Sequence, residues 1–433
     1  MFELLRIPSI SAQSDHQKDM VKAAAWIHKK LTSLGLKSNI LSTKGHPVVY
    51  AELMANSKWP TILVYGHYDV QDHGNPGEWS SNPFEPEIRN GNIYGRGVAD
   101  DKGQLYTWIA ALSDLRASRF KLRTNIKFLI EGEEEIGSRN LEEFVDKNKS
   151  LLASDICLVS DSDCISENDP VITYGLRGII YFEISIKTLP KDVHSGTYGG
   201  NVLNPIEVLS NLLSGLKNNE RKILIPNFYK NLRKIPIQEK RRLNHYPFGE
   251  REIKKETGAK VVVGEKGYTI QERAGARPAL DINGIWGGYQ GEGAKTIIPQ
   301  KAQAKFSMRI VPLQNPKDII KNTKNYFLKN TPKGAEFHLK VLAADSAVLV
   351  NTTNKYFGLA EKAYKKVFGK KPHYHLHGAT IPVGGMLKRA LNIDTVYMGY
   401  GLPDDGLHGP NEKFSLGMFE KGIQTNSEFL KSL

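Results

Sequence analysis

The sequence has few cysteines, and their scarcity excludes a disulfide-stabilised scaffold. Its 433 residues contain two, Cys157 and Cys164, which cannot form a disulfide framework and indicate a reducing compartment. Cys157 lies in the apolar run DICLV, which favours a buried structural thiol over a reactive one.

Long hydrophobic runs are absent too. None approaches the roughly 20 apolar residues of a membrane-spanning helix. The first residues, MFELLRIPSISAQSDH, lack a positively charged segment followed by a long apolar one, so no signal peptide is predicted. We therefore expect a cytoplasmic protein with no membrane partner. Phe2–Ser11 resembles the end of a helix followed by a turn that starts at a proline, a pattern compatible with a further helical segment upstream.

Acidic residues are the minority charge, with 59 Lys and Arg against 46 Asp and Glu and a net charge of +13. Such an excess is compatible with nucleic-acid binding. The densest basic run, Lys230–Arg242, has no interleaved aromatic residues and no known binding motif. We therefore favour a solvated basic face and expect no nucleic-acid partner. Attraction of small anionic substrates is a second interpretation.

The stretch Thr61–Val70 carries the first chemical signal. Thr61–Tyr65 is predicted as a buried strand, Gly66 interrupts it, and His67 and Asp69 follow. A histidine at such a strand end suits a metal ligand, with Asp69 behind it holding the imidazole. A solvated histidine and aspartate at a strand end is the alternative.

Two adjacent carboxylates, Asp100 and Asp101, precede a predicted helix over Leu105–Leu115. Carboxylates at this position are common helix N-caps. A carboxylate with two oxygens is also one of the few side chains that can bridge two metal ions. At this level both interpretations remain open.

A cluster of glutamates follows the next predicted strand, Arg123–Ile130. Close carboxylates repel one another unless water or cations neutralise them. We place the first two in strand-end and loop positions without a chemical role and keep the last two as candidates for function. The four residues are Glu131, Glu133, Glu134 and Glu135.

Strands that alternate with helices predict an α/β fold with a mainly parallel sheet, whose ligands collect at the carboxyl ends of the strands. A further strand over Ser154–Ser160 ends at Asp161. His408 lies in a late loop with acidic and glycine neighbours. Polar residues at several such ends are harder to explain as surface charge than any one of them alone, and they predict a metal site.

The pattern changes after Ile172. Thr173–Thr188 and Ala304–Leu313 alternate with the period of strands, without the candidate ligands that follow the earlier strands. We expect a separate α+β domain at 177–342, inserted in a catalytic domain formed by 1–176 and 343–433.

Taken in order, GHYDV, GRGVADDKG, EGEEEIGS, VSDS, HSGTYGG, SMRIVP and DDGLHGPNE resemble peptidase family M20, the cocatalytic zinc peptidases. The resemblance covers nearly the whole chain. It is closest to the dipeptidase and carnosinase branch, through ITYGLRG, HSGTYGG and GEGAKTIIP. It implies a zinc-peptidase-like catalytic domain with an inserted lid and dimerisation domain. It also implies an enzyme that hydrolyses dipeptides or short peptides with a free C-terminal carboxylate.

The resemblance also implies residue roles. Two divalent ions, Zn²⁺ first and Mn²⁺ or Co²⁺ as alternatives, would be held by His67, Asp100 and Asp161 and by Asp100, Glu135 and His408. Asp69 would orient His67, and Glu134 would be the general base. His194 would reach the partner's active site in a homodimer and bind the oxyanion. The remaining substrate contacts implied are Thr296, Arg309, Gly378, Ala379 and Thr380.

One segment departs from the family pattern. The dipeptidase branch usually has an acidic residue before the small-residue turn, where this chain has His377, the last histidine of HYHLH. We favour a substrate-facing or supporting role for His377 over a third metal site, with His373 and His375 on the surface. Asp101, Asp404 and Asp405 are expected to support ligands or form turns.

Two alternatives to the dipeptidase remain. One is an N-acyl-amino-acid deacylase or a carboxypeptidase on the same scaffold, which would not require a free α-amino group. The other is a basic binding protein that keeps its metal site for structure, and it would have no need for Glu134 as a base.

Overall fold

The computed structural model of the chain describes residues 1–433 and divides into two units. The first unit contains Met1–Tyr174, Val350–His375 and Pro382–Leu433, and the second contains Gly175–Leu349 and Leu376–Ile381. From the sequence, this last short segment is predicted to belong to the first domain.

The secondary structure contains both helices and strands along the whole chain. The helices are α1 Phe2–Leu5, α2 Gln17–Ser33, α3 Lys102–Ala117, α4 Leu141–Lys147, α5 Lys149–Leu152, α6 Ser195–Tyr198, α7 Pro205–Ser214, α8 Ile237–Asn244, α9 Glu250–Thr257, α10 Ile270–Gly275, α11 Pro316–Asn330, α12 Lys355–Phe368, α13 Pro382–Leu391 and α14 Leu416–Lys431. The strands are β1 Lys37–Leu41, β2 Val48–Leu53, β3 Thr61–His67, β4 Glu87–Arg89, β5 Asn92–Tyr94, β6 Asn125–Glu131, β7 Ile156–Val159, β8 Val171–Leu176, β9 Gly178–Lys187, β10 Val193–His194, β11 Ala279–Gly287, β12 Ile297–Ile298, β13 Lys301–Ile310, β14 Glu336–Asp345, β15 Val348–Leu349, β16 His373–His377, β17 Asp394–Tyr397 and β18 Lys413–Ser415.

The first unit is built on a sheet with strand order β1-β2-β6-β3-β7-β17-β8. Its centre is parallel, since β3 pairs in parallel with β6 and β7, and β7 with β17. The outer pairs β1–β2, β2–β6 and β17–β8 are antiparallel. The α/β class predicted from the sequence is confirmed, but the sheet is mixed and its parallel part is limited to the four central strands.

The central strands are apolar because both faces of the sheet are covered. Ile62–Tyr65 in β3 and all of β7 are buried, and α3 packs on β3 while α2 packs on β1 and β2. Parallel strands in such a sheet end at the same edge, and His67 at the end of β3 pairs in register with Glu131 at the end of β6. The residues that follow these strands are therefore brought together.

The second unit contains an antiparallel sheet with order β11-β13-β9-β14. In β9 and β13 every second residue is buried, as the two-residue period predicts. The buried face packs against α7 and α11, and the Phe182 and Phe306 rings stack with centroids 4.9 Å apart. None of the helices combines the length and the apolar character needed to cross a bilayer.

Candidate metal centre and substrate-binding residues

Five candidate ligands of the first unit come from five separate parts of the chain. His67 ends β3, Asp161 follows β7, and Glu135 lies in the turn after β6. Asp100 lies two residues before the start of α3, and the Asp100–Asp101 peptide bond is cis. His408 lies in the loop before β18, with a left-handed backbone (φ 61°).

These five side chains form two groups that share one member. The ligand atoms of His67, Asp100 and Asp161 lie within 4.8 Å of one another, and so do those of Asp100, Glu135 and His408. No other group of three or more histidine, cysteine or carboxylate side chains in the chain meets this criterion. The histidines of HYHLH belong to neither group.

Asp100 faces both groups through different oxygens. His67 Nε2 lies 3.1 Å from Asp100 Oδ1, and His408 Nε2 lies 3.0 Å from Asp100 Oδ2. Glu135 Oε2 is 3.3 Å from His408 Nε2, and Asp161 Oδ2 is 3.9 Å from His67 Nε2. A carboxylate with one oxygen directed to each group has the geometry of a bridging ligand.

The charges of the centre fit divalent cations. Burial, followed by repulsion from Asp100, raises the pKa of the Asp161 carboxyl to about 7. Burial also raises the pKa of Glu134, with repulsion from Asp161, Asp100 and Glu135 adding to it. Buried carboxylates that repel one another in this way are stabilised in the ionised form by bound cations. The donors are imidazole nitrogens and carboxylate oxygens without thiolates, which suits Zn²⁺, Mn²⁺ or Co²⁺.

Asp69 supports two parts of the centre at once. Its Oδ1 lies 3.3 Å from His67 Nδ1, and the Asp69 carbonyl is 3.1 Å from the same nitrogen. Its carboxylate also accepts the backbone N–H groups of Glu134 (3.3 Å) and Glu135 (3.1 Å). Asp69 is fully buried, so the orientation of His67 is coupled to the position of the glutamate turn. The second contact was not predicted from the sequence.

Gln71 is another supporting residue that the sequence analysis missed. Its Nε2 donates to Glu135 Oε2 at 2.9 Å and to the Glu135 carbonyl at 3.3 Å. Gln71 directly follows the HYDV segment. This position next to the end of β3 is the feature of the sequence that could have indicated its role. It fixes the carboxylate of Glu135 in the second group.

A buried ion pair, Arg96 with Glu412, joins three loops around the centre. Glu412 is fully buried and accepts the backbone N–H groups of Gly97, Ala99 and Asp100 at 2.8, 2.9 and 3.1 Å. Arg96 Nη1 donates to Glu412 at 2.7 Å, and its Nη2 donates to the carbonyls of Asp72 and Gly409. The pair thus holds the loop of Asp100 beside the loop of His408.

Glu412→Gln is expected to weaken metal binding by about 10- to 100-fold, the usual effect of losing a residue that orients ligands. The glutamine amide group would face backbone N–H donors and leave Arg96 without a buried counter-charge. Competition with a chelator measures the affinity, and circular dichroism reports on the fold. Glu87→Gln, at an exposed glutamate of β4, is the control. Unchanged affinity in a folded Glu412→Gln protein would contradict the role of the pair.

Several neighbouring acidic residues serve the structure. Asp101 precedes α3 but makes no capping hydrogen bond, and its Oδ2 accepts the His67 backbone N–H at 3.2 Å. Glu131 accepts from Tyr65 and Ser138, and Glu133 from His46 and Asn140. Both glutamates are buried, and these protein donors satisfy their carboxylates.

Asp405 is also buried and structural. It accepts the Leu402 N–H at 2.7 Å within the loop that carries His408. Asp404 is mostly exposed beside Lys413. These contacts stabilise the turn and do not add a ligand to either group.

The second unit contains the residues assigned to substrate by the resemblance. Arg309 Nη1 donates to Thr380 Oγ1 at 2.9 Å, and the Thr380 hydroxyl donates to the Arg177 carbonyl at 2.7 Å. Gly378 accepts from Arg177 Nε at 3.1 Å. Arg309, Thr380 and Gly378 therefore belong to one cluster, and Ala379 is adjacent in the chain.

His194 and Thr296 are exposed and lie where β10 pairs with β12. His194 in β10 lies opposite Ile297 in β12, and the Ser195 N–H donates to the Thr296 carbonyl at 3.0 Å. The His194 ring is exposed, and its Nδ1 accepts the Gly196 N–H at 3.0 Å. His194 therefore caps the turn, which is a structural role. Its Nε2 makes no hydrogen bond within the chain.

The comparisons with known proteins agree with one another. A model described as Peptidase family M20/M25/M40 matches residues 63–432. A β-Ala-His dipeptidase of Homo sapiens is 33% identical over 392 residues, which cover 88% of this chain and 76% of the human protein. A Cys-Gly metallodipeptidase of Schizosaccharomyces pombe is 30% identical over 446 residues, 99% of this chain and 93% of the yeast protein.

A solved structure is similar over nearly the full length. The crystal structure of an M20 family metallo-carboxypeptidase from Sulfolobus solfataricus superposes with a TM-score of 0.90 at 33% sequence identity, covering 99% of this chain and 97% of that one. The fold and the order of the elements are therefore those of proteins with described peptidase activities.

Proposed function

The chain belongs to peptidase family M20/M25/M40, and on this premise we propose that it is a metal-dependent dipeptidase. Its substrates would be dipeptides or short peptides with a free C-terminal carboxylate. The observation that carries the proposal is the pair of ligand groups that share Asp100, beside Glu134, whose backbone N–H is held by Asp69. Relatives with dipeptidase names support the substrate class.

The five ligands would hold two divalent ions. His67, Asp100 and Asp161 form one site, and Asp100, Glu135 and His408 form the other. Zn²⁺ is our first choice, and Mn²⁺ or Co²⁺ also suits this donor set. When bound, these ions would provide Lewis acidity toward the scissile carbonyl and the attacking water.

The residues of the chain would then move the proton. Glu134 would accept a proton from the attacking water and transfer it to the leaving amine, so that the peptide C–N bond breaks as the new C–O bond is completed. The fixed backbone of Glu134 supports this role because a general base must be held within hydrogen-bonding reach of the proton that it takes.

Residues of the second unit would bind the rest of the substrate. Arg309 would hold the C-terminal carboxylate with its planar guanidinium. Thr296, Gly378, Ala379 and Thr380 would contribute hydrogen bonds. His194 would donate to the developing oxyanion in the partner's active site of a homodimer.

A homodimer and a cytoplasmic location remain predictions. The outer strands β11 and β14 are edges of the four-stranded sheet, and Ile285 on β11 is 54% exposed. Exposed apolar edges of this kind favour pairing with a second chain. Light scattering tests the dimer, and cell fractionation tests the location.

The substrate class is tested with a panel of free dipeptides, their N-acetyl derivatives and tripeptides, using metal-stripped protein reloaded with Zn²⁺ or Mn²⁺. We expect turnover of free dipeptides and little or none of the acetylated compounds. Turnover confined to acetylated compounds would indicate a deacylase or a carboxypeptidase, the activity of the Sulfolobus relative. No turnover with both metals bound would favour a binding protein.

A further inference from the structure

Two arginines of the second unit lie together around the segment Leu376–Ile381. Arg309 donates to Thr380 Oγ1, and the Thr380 hydroxyl donates to the Arg177 carbonyl. Arg177 Nε donates to the Gly378 carbonyl at 3.1 Å, and its Nη1 to the Arg273 carbonyl at 3.4 Å. Both guanidiniums thus contact the short segment Gly378–Thr380, Arg177 through the Gly378 carbonyl and Arg309 through the Thr380 hydroxyl.

Neither arginine has an anionic partner. All their hydrogen-bond acceptors in the protein are neutral oxygens, and no carboxylate lies within ion-pair distance of either. Asp281 is the carboxylate that acts on the pKa of both arginines from a distance. It is mostly exposed, and its Oδ1 lies 3.9 Å from Lys217 Nζ. The cluster therefore carries two positive charges that the protein does not neutralise.

Both arginines are cationic at neutral pH. Burial, followed by repulsion from Arg309, lowers the pKa of Arg177 only to about 10. Both residues are only partly exposed, and two like charges in such a position repel each other and are stabilised by an anion placed between them.

His377 does not supply that anion. Its Nδ1 accepts the Ala379 N–H at 3.2 Å, which requires an unprotonated nitrogen. Burial and the two arginines lower the pKa of His377 to about 4, so the imidazole is neutral near pH 7. The positive charge of the cluster therefore comes from the two guanidiniums alone.

Several donors of the cluster make no hydrogen bond to the protein. They are Arg177 Nη2 and Arg309 Nε and Nη2. A guanidinium binds a carboxylate through two parallel N–H groups, with a strength that neutral donors do not reach. The cluster therefore has donors for more than one carboxylate.

We propose that Arg177 and Arg309 bind the two carboxylates of one substrate residue, so that the enzyme prefers dipeptides with a C-terminal aspartate or glutamate. This inference rests on the proposed function, in which Arg309 holds the C-terminal carboxylate. Arg177 then binds the side-chain carboxylate and is a specificity-determining residue.

The test compares Ala-Glu with its uncharged isostere Ala-Gln. A charge-assisted hydrogen bond adds enough binding energy to predict a kcat/KM about 10-fold or more higher for Ala-Glu. Binding of free L-glutamate and L-glutamine, measured by calorimetry, should show the same order without any catalysis. Arg177→Met should reduce the ratio to near one, mainly by raising KM for Ala-Glu. Arg251→Met, which removes an exposed arginine of α9, is the control and should keep the ratio.

Two substitutions of His377 keep the test valid if Arg177→Met does not fold. His377→Gln should retain the preference, because the residue it replaces is neutral. His377→Glu should abolish it, because its carboxylate would neutralise one guanidinium. Equal turnover of Ala-Glu and Ala-Gln by the unmodified enzyme would overturn the inference and leave the dipeptidase intact. Selective binding of L-glutamate that depends on Arg177, in a protein that hydrolyses no dipeptide, would support the anion site and reject the dipeptidase.

Discussion

Glu134→Gln is expected to lower kcat for a free dipeptide by at least about 100-fold, the lower end of what a positioned general base contributes. Glutamine preserves the size and the backbone of the residue, so the hydrogen bond from its N–H to Asp69 should persist. It cannot accept the proton of the attacking water. Both metals should stay bound, because Glu134 belongs to neither ligand group.

The measurement is kcat at saturating dipeptide together with the metal content of the same sample. Glu142→Gln, at an exposed glutamate in the first turn of α4, is the matched control and should behave as the unmodified enzyme. If Glu134→Gln retained most of the activity with both metals bound, the proton would be carried by another group and the proposed mechanism would be wrong.

Asp100→Asn is expected to lose both metal ions and nearly all activity. Each oxygen of Asp100 faces a different histidine, and the residue is the one member common to both ligand groups. An asparagine presents a single carbonyl oxygen without charge, so it cannot bridge two cations or offset their repulsion. Metal content after dialysis at micromolar protein concentration measures the loss.

His408→Ala provides the matched comparison because His408 belongs to one group only. We expect it to weaken one site and to leave His67, Asp100 and Asp161 able to hold an ion. A graded result, with Asp100→Asn losing more metal than His408→Ala, supports the bridging role. Equal losses in the two variants would show that the sites do not depend on a shared carboxylate.

The ligand-bearing parts of the first unit could be predicted because each signal is local. A short apolar run that ends in polar residues predicts both a buried strand and a residue at its end, as at His67 and Asp161. Parallel pairing then places these ends together. The limit of the parallel part of the sheet was not predicted, because the residues of β2 indicate a strand but not its direction. β2 pairs with β6 in an antiparallel manner.

The residues that were missed act through contacts between distant parts of the chain. Glu412 binds backbone N–H groups more than 300 positions earlier, and its place at the end of the segment DDGLHGPNE does not reveal that its carboxylate is buried. The second contact of Asp69, to the turn of Glu134, is also tertiary. In the same way, Leu376–Ile381 belongs to the second unit because of its hydrogen bonds to Arg177 and Arg309, which a sequence pattern does not reveal.

The most direct test of a dinuclear metallodipeptidase is a titration of the metal-stripped protein with Zn²⁺ or Mn²⁺, following hydrolysis of a free dipeptide and bound metal in the same samples. We predict no turnover without metal, tight binding of two equivalents, and full activity only when both are bound. Full activity in the stripped protein, or a plateau of activity and binding at one equivalent, would contradict the account.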